Sequence, residues 1–280
     1  LFTKTLKEAP ADEQAKNAQL LIRAGFIHKE MAGAYQLLPL GLMVVQNIKQ
    51  IVREEMAALG TNEMIATNLQ RKELWERTDR WSDEKVDVWF KSNLQAGGEV
   101  GFAWSHEEPL ADMMKSHVNS YKDLPVAIYQ FQNKLRNEVR AKSGMMRGRE
   151  FIMKDAYSFH TTPACLQDTF DVMHTTYERI LNRMTLDFRA VDADSGSIGG
   201  SASTEFHVLA DSGEDLIAFG TKGNYAANIE LAEALMPAEQ DEPLQPMHDV
   251  PTPDQKTIAD IVSFLNIDIT KTVKTLIVRG

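Results

Sequence analysis

The pattern of side chains between Lys134 and His160, read with a period of two as in a strand, predicts two strands joined by a short loop. In the first strand, Arg136 and Glu138 share one face. The second strand follows a turn that contains Gly144. Its odd positions bring cationic, aromatic and acidic side chains to a common face, and these are Arg147, Arg149, Phe151, Met153, Asp155, Tyr157 and Phe159.

Such a face suits a nucleotide, because the planar fork of arginine forms paired, charge-assisted hydrogen bonds with phosphate. An aromatic ring two residues beyond Arg149 offers a flat surface to a base. The alternative is a solvated hairpin with alternating charges. Local charge favours the anion site: residues 134–154 contain seven Lys or Arg and two Glu, whereas the whole chain has a net charge of −10.

Elsewhere the spacing of apolar residues predicts both helices and strands, and hence an α+β fold. The longest predicted helices cover residues 11–26, 42–59 and 162–184, and a shorter one covers 256–265. Predicted strands cover residues 86–91, 99–104, 126–131, 186–191, 204–209, 215–220 and 271–279. Ser105 followed by Glu108 is a capping-box pattern, and it predicts a helix that continues to Tyr121.

Composition indicates a globular protein, with 43% hydrophobic and 25% charged residues among 280. The single cysteine, Cys165, excludes an internal disulfide framework and a cysteine-rich zinc site, which favours a reducing compartment such as the cytoplasm. We expect no membrane partner, because no apolar run reaches the length of a membrane span. The acidic balance argues against non-specific coating of nucleic acid but allows a local patch for tRNA.

The central stretch resembles motif 2 of class II aminoacyl-tRNA synthetases, which has the pattern Arg-x-Glu, a loop, then Arg/His-x-x-x-Phe. Arg136-Asn137-Glu138 matches the first part, and Arg147 to Phe151 matches the second. The continuation MKDAYSFH is similar to that of bacterial-type prolyl-tRNA synthetases in particular. The resemblance implies an antiparallel sheet flanked by helices, followed by the start of an α/β insertion domain.

The resemblance also implies an assembly. The helix over residues 42–59 and the strand after it resemble motif 1, which forms the homodimer interface in class II synthetases. The family usually has a proline in that strand, where this chain has Thr67. The departure puts the local interface geometry in question, because proline fixes φ and removes a donor.

A proline-binding pocket is implied by three further segments. Ser105-His106-Glu107-Glu108 resembles the family's Thr-His-Glu-Glu, in which the Thr and the first Glu hold the amine of proline. Two departures are Ser105 in place of Thr and Trp104 in place of a frequent Pro. The resemblance implies that the following residues line the pocket or the passage to it: Ser105, Glu107, Met153, Asp155, Tyr157, Ser201 and Ser203.

The C-terminal part has a different composition, because five of the ten prolines lie between Met236 and Pro253. Segments on either side resemble the start of the editing insertion domain, in which the Lys of Lys-Thr-Leu helps to hydrolyse mischarged alanyl-tRNA. Lys274 matches that lysine. Editing is physically reasonable, since a proline pocket cannot strongly reject the smaller alanine. We therefore predict a catalytic domain over residues 1–222 and an insertion domain from 223 to 280.

The implied activity is a proline–tRNA ligase that uses ATP with Mg²⁺, proline and tRNA(Pro). Arg136 would bridge the carboxylate and α-phosphate, Arg147 and Arg149 would bind the phosphates, Glu138 the adenine edge, and Phe151 the adenine face. No residue is predicted as a metal ligand. Motif 3 has no match before Gly280, so the sequence is expected to be truncated. The alternative function is a catalytically incomplete, synthetase-like protein that binds tRNA or a synthetase partner.

Overall fold

The computed structural model describes two compact units, residues 1–233 and residues 234–280. The described residues are 2–141, 144–193, 195–196, 199–200, 202–223, 225–229, 231–233, 246 and 248–273. The boundary between the units lies C-terminal to the predicted limit at residue 222. The identities of the two predicted domains stay predictions.

Helices of the first unit are α1 Lys16–Arg23, α2 Pro39–Ala58, α3 Lys72–Glu76, α4 Glu107–Met114 and α5 Pro163–Arg183. The two long helices confirm the sequence prediction. Pro39 begins α2, Gly60 follows its end with φ of +71°, and the Thr162 side chain caps α5 by accepting from the Cys165 N–H. The predicted helix over residues 11–26 is wrong at its start, because Glu13 instead turns inward to accept from the Tyr35 hydroxyl at 3.0 Å.

Strands of the first unit form four small sheets. A hairpin pairs β1 Ile27–Met31 with β2 Ala34–Leu37. The second sheet contains, in spatial order, β3 Asn62–Glu63, β7 Val126–Leu135 and β8 Glu150–Phe159. The third contains β4 Leu69–Arg71, β6 Glu99–Phe102 and β5 Lys91–Asn93. The fourth contains β10 Thr204–Val208, β9 Phe188–Asp192, β12 Ala226–Asn228 and β11 Ile217–Phe219. Pairing is antiparallel except for β3 with β7 and β12 with β9, which confirms an α+β fold.

The β7–β8 hairpin is the centre of the first unit. Its register pairs Gln130 with Asp155 and Lys134 with Phe151. One face is apolar and packs on α2 and α5 through a cluster that includes Val52, Met56, Tyr129 and Ile180. Because successive residues of a strand point to opposite faces, the alternate positions on the other face carry the polar side chains described below.

Two predicted boundaries in this region are wrong. The strand expected at residues 86–91 begins only at Lys91, since Val86 and Trp89 are instead buried in a cluster of tryptophans. The first strand of the central hairpin ends at Leu135, so Arg136 and Glu138 lie in the connection over residues 136–149. That connection includes a short 3-10 helix, Gly144–Met146.

The second unit contains α6 Ile258–Leu265, which confirms the helix predicted there. Thr257 and Asp260 form a capping box at its start, and Asn266 ends it in the left-handed region with φ of +51°. The predicted strand over residues 271–279 falls mostly outside the described residues, and Lys271 itself ends the 3-10 helix Ile269–Lys271. Among the described residues, no helix combines the length and apolarity needed to cross a bilayer.

Candidate active site

Arg136 begins the connection after β7 and is turned back over the sheet. Its Nε donates to the Trp104 carbonyl at 3.3 Å, and its guanidinium carbon lies 5.4 Å from the centre of the Phe151 ring. Its backbone N–H donates to the Arg149 carbonyl at 2.8 Å, which continues the hairpin pairing by one step. Burial lowers the pKa of the Arg136 guanidinium, while Glu138 and Glu107 oppose that shift. The side chain is therefore held as a half-buried cation beside an aromatic ring.

Two further arginines of the connection have different surroundings. Arg147 is 58% exposed, and its Nε lies 3.5 Å from Oε2 of Glu138. Arg149 donates instead to backbone carbonyls, from Nε to Glu138 at 3.0 Å and from Nη1 to Ala32 at 2.8 Å. Because these bonds join the connection to the β1–β2 turn, Arg149 has a structural role here, whereas Arg147 keeps an accessible guanidinium. That Arg149 binds ATP stays a prediction.

A cavity of about 990 Å³ has Arg136 and Arg147 in its lining, whereas Arg149 is not part of that lining. The motif 2 residues in that lining are Arg136, Glu138, Arg147 and Phe151. The structure therefore brings together four side chains that the sequence analysis assigned to one nucleotide. The combination of two guanidiniums, a carboxylate and an aromatic ring suits a ligand with phosphates and a planar base.

A second group of polar residues, centred on Asp155, lies on the face of the hairpin that carries Phe151, outside the lining of that cavity. Its Oδ2 accepts from Gln130 Nε2 at 2.9 Å, Lys134 Nζ at 2.9 Å and the Tyr157 hydroxyl at 2.7 Å. Its other oxygen, Oδ1, is buried and has no hydrogen-bond partner among the described residues. The three donors outweigh burial and lower the pKa of Asp155. The same contact and burial raise the pKa of Tyr157.

Lys134 and His106 complete this polar cluster, and both are fully buried. Lys134 Nζ also contacts His106 Nδ1, and His106 Nε2 lies 3.2 Å from the Thr67 carbonyl. Burial lowers the pKa of His106, and the nearby Lys134 charge lowers it further. The neutral tautomer with a proton on Nε2 satisfies both contacts, since Nδ1 then accepts and Nε2 donates.

Sequence reasoning did not assign a role to Lys134, His106 or Gln130. The period-two pattern of the strand could have identified two of them. Gln130 and Lys134 are separated by an even number of residues in β7, so they share the face on which Gln130 pairs with Asp155. Nothing in the local pattern shows that His106 would reach them, because its contact with Lys134 joins separate elements of the chain.

The Ser105–Glu108 segment differs from the predicted capping box. His106, not Ser105, is the N-cap of α4, no side chain caps the helix, and the helix ends at Met114 rather than Tyr121. Glu108 is used elsewhere, because its Oε1 accepts from Thr78 Oγ1 and Arg80 Nη1, both at 2.7 Å. Glu107 has a buried Oε2 with no hydrogen-bond partner in the described part of the chain, and its charge acts on Lys134.

The two departures at Trp104 and Thr67 have clear structural consequences. The Trp104 ring packs 5.4 Å from Trp75 and 5.9 Å from Trp89, while its carbonyl orients Arg136. Thr67 presents its own carbonyl to His106 and bonds Leu69 O through its hydroxyl at 3.0 Å. Through their carbonyls, Trp104 and Thr67 therefore position Arg136 and His106, respectively.

Met153 and Ser203 are two further predicted pocket residues that the structure describes. Met153 is half-buried opposite Gln132. Ser203 precedes β10, and its carbonyl accepts from the Ala193 N–H at 3.1 Å. Ser201 and Lys274 lie outside the described residues. The binding roles of these four side chains stay predictions.

Three solved structures share this fold. The prolyl-tRNA synthetase of Cryptosporidium parvum, complexed with L-proline and AMP, aligns with a TM-score of 0.60 and 15% identity over 72% of this chain and 42% of its own. The same enzyme complexed with halofuginone and AMPPNP gives 0.62 and 15%, over 71% and 43%. Giardia lamblia prolyl-tRNA synthetase with prolyl-adenylate gives 0.57 and 17%, over 62% and 36%. The chain thus spans about two fifths of the length of these proteins.

The sequence itself carries the family assignment. Residues 90–251 match the tRNA synthetase class II core domain shared by the enzymes for G, H, P, S and T. The match includes the whole β7–β8 hairpin, the connection with Arg136 and Glu138, and the segment with Glu107. The chain therefore belongs to the class II tRNA synthetase core family (G, H, P, S and T).

Proposed function

We propose that the protein is a proline–tRNA ligase, which activates proline with ATP and transfers the prolyl group to tRNA(Pro). The observation that carries the proposal is the placement of Arg136, Glu138, Arg147 and Phe151 around one cavity, within a chain of the class II core family. The solved structures that share the fold support the choice of proline, since two of them hold L-proline or prolyl-adenylate.

In the activation step, the carboxylate of proline attacks the α-phosphate of ATP and pyrophosphate leaves. Arg136 would bridge the carboxylate and the α-phosphate, and the hydrogen bond from its Nε to the Trp104 carbonyl, which orients the guanidinium, supports this role. Arg147, exposed and paired only loosely with Glu138, would hold the far phosphates. Phe151 would stack on the adenine, with Glu138 at its edge. Catalysis then rests on positioning and electrostatics, without a protein nucleophile.

The amino acid would bind at the polar cluster. Glu107 and Asp155 each keep one buried carboxylate oxygen that accepts no hydrogen bond from a described residue. Such oxygens are expensive to desolvate, and an ammonium group would satisfy them. We assign Glu107 to the proline amine, with Ser105, Met153, Asp155, Tyr157, Ser201 and Ser203 as further pocket residues.

ATP would arrive with Mg²⁺ bound to its phosphates. In the described part of the chain, no group of three or more His, Cys, Asp or Glu side chains is arranged to hold a metal ion. We therefore treat Mg²⁺ as part of the nucleotide substrate and assign it no protein ligand.

A homodimer through α2 is supported by the exposure of its apolar residues. Leu42, Met43 and Val44 leave an apolar surface near the start of α2, because these three residues are between 44% and 58% exposed. Burial of that face in a twofold contact would remove the apolar surface from water. Sedimentation equilibrium at micromolar concentration should give twice the protomer mass, and a monomer there would contradict this assignment.

The finer assignments rest on sequence resemblance. We propose that residues 223–280 begin an insertion domain, that Lys274 serves the editing of alanyl-tRNA(Pro), and that the protein works in the cytoplasm. Deacylation of alanyl-tRNA(Pro) by the whole protein tests the editing assignment. Equal rates with the wild type and a Lys274→Ala variant would contradict it.

Arg136→Ala is the sharpest test of the main proposal. We expect proline-dependent ATP–pyrophosphate exchange by the whole protein to fall about 100- to 1000-fold, the effect of one lost transition-state donor. The matched control is Arg71→Ala, which removes an exposed guanidinium paired with Asp112 at 3.0 Å, away from the cavity. Its exchange rate should equal that of the wild type.

Equal exchange in the Arg136→Ala variant and the wild type would overturn the assignment of the nucleotide site. Absence of exchange in the whole wild-type protein, with tRNA still bound, would favour the alternative of a synthetase-like binding protein.

A further inference from the structure

The carboxylate of Asp155 is held in an unusually one-sided way. All three of its described donors, Gln130, Lys134 and Tyr157, bond the same oxygen, Oδ2, at 2.7–2.9 Å. The other oxygen is buried and has no hydrogen-bond partner among the described residues, and the side chain as a whole is 9% exposed. A carboxylate that is fixed through one oxygen presents the other in a defined direction, which is the arrangement of a preorganised acceptor.

Lys134 is the cation of this arrangement and is itself inaccessible to solvent. Its ammonium donates to Asp155 and contacts His106 Nδ1, so two acceptors fix its position. Burial lowers the pKa of Lys134, while Asp155 and Glu107 oppose that shift. The groups that its ammonium contacts are Asp155 and His106, so we expect any effect of Lys134 on binding to pass through these neighbours.

We propose that Lys134 is a positioning residue of the amino-acid pocket, which keeps Asp155 ionised and turned so that Oδ1 faces a cationic substrate group. The inference rests on the proposed function for the identity of that group, an α-ammonium. Gln130 and Tyr157 also orient the Asp155 carboxylate by donating to Oδ2, and His106 holds the Lys134 ammonium in place. The substrate class follows: the pocket selects an amino acid with a protonated amine over a neutral analogue.

The physical reason is a balance of two opposing effects. Burial alone would raise the pKa of Asp155, and hydrogen bonds from Gln130, Lys134 and Tyr157 reverse that effect. Lys134 contributes both a bond and a positive charge at 2.9 Å. The other charged or titratable groups near the cluster are His106, with Nδ1 at 3.9 Å from Oδ2, and Glu107 and Arg136. Without Lys134, Asp155 should take up a proton at a higher pH and lose its attraction for an ammonium group.

The first experiment measures this ionisation directly, on the 280-residue chain and independently of activity. Carbon-13 resonances of the aspartate carboxyls are followed against pH in the wild type and in Lys134→Met, with Asp155→Asn used to assign the signal. We expect the Asp155 midpoint to move upward in Lys134→Met. The matched control is Lys91→Met, which removes another lysine that donates to an aspartate: Lys91 Nζ donates to Asp83 Oδ1 at 2.5 Å and to the Trp81 carbonyl at 2.7 Å. It should leave the Asp155 signal unchanged.

The second experiment measures proline-dependent exchange by the whole protein against pH. Lys134→Met should raise KM for proline about 10-fold or more near neutral pH, the effect of one lost charge-assisted bond. The increase should shrink as the pH rises and Asp155 ionises again. In an Asp155→Asn background, Lys134→Met should add no further increase, because the residue through which it acts is gone. A purely structural role would lower activity equally at every pH.

An unchanged Asp155 midpoint in a folded Lys134→Met variant would overturn the inference. Additive effects in the Lys134→Met/Asp155→Asn double variant would also overturn it. A wrong functional proposal would give a different result: the wild type would show no proline-dependent exchange, while the Asp155 titration could still be measured and compared between variants. A dispersed amide spectrum of each variant shows that the comparison is made between folded proteins.

Discussion

Two buried clusters lie on either side of the segment that contains Trp104 and His106, and they are built from opposite kinds of residue. All four tryptophans of the chain pack together on one side, with ring centres 5.0–5.9 Å apart. On the other side, the polar cluster of Gln130, Lys134, His106, Asp155 and Tyr157 is joined by hydrogen bonds. One backbone segment therefore serves an aromatic core and a candidate binding pocket.

The two clusters differ in what they contribute to folding. Aromatic burial is strongly favourable, and tilted or edge-on ring pairs add to it. A buried ion pair is weak evidence for stability, because desolvation of both charges offsets their attraction. A chain that required only stability would fill the second site with apolar residues. The difference indicates that the tryptophan cluster holds the scaffold, while the polar cluster is kept for its chemistry.

Trp75→Ala should have the largest effect on folding. A small effect would contradict the claim that the tryptophan cluster holds the scaffold. Trp75 is fully buried between Trp89 and Trp104, so truncation leaves a large cavity. We expect the free energy of unfolding to fall by about 3–5 kcal/mol. Urea denaturation followed by circular dichroism measures it.

The control is Trp75→Phe, which keeps a ring and also removes an indole N–H that is buried without a described partner. It should lose much less stability than Trp75→Ala. Equal losses in the two variants would mean that ring packing is not the source of stability in this cluster.

A smaller effect is expected from acid, acting on His106 in the polar cluster. Burial and the neighbouring Lys134 charge lower the pKa of His106 below its unfolded value of about 6.5. The unfolded chain therefore binds the proton more readily. Stability should be complete above about pH 6.5 and should fall as the pH drops below it. Urea titrations at pH 7.5, 6.5 and 5.5 measure the slope.

His106→Asn should flatten that slope, because the asparagine carbonyl can accept from Lys134 without titrating. Trp75→Phe should keep it, since its change lies among apolar rings. A slope that survives unaltered in His106→Asn would assign the acid sensitivity to other groups and remove this distinction between the clusters.

Much of the scaffold was predictable from local patterns. The long helices α2 and α5, α6 and several strands were confirmed, because apolar periodicity and end signals such as Pro39, Thr162 and Gly60 act over a few residues. Errors arose where tertiary packing overrides local preference. Val86 and Trp89 were assigned to a strand because they alternate, yet both serve the tryptophan cluster. Ser105 has the pattern of a cap, yet its carbonyl accepts from Gln70 Nε2 at 2.8 Å and it lies one residue before the N-cap.

By itself, the sequence determined the order of elements, the basic stretch around the hairpin, the parity that puts Phe151 and Asp155 on one face, and the membership of a class II family. Only the tertiary structure decided that Arg149 bonds backbone carbonyls while Arg147 stays accessible. It alone brought His106 against Lys134 and left one oxygen of Asp155 without a hydrogen bond from any described residue. The reason is physical: periodicity encodes which face a side chain takes, whereas its partners and its desolvation depend on residues distant in the chain.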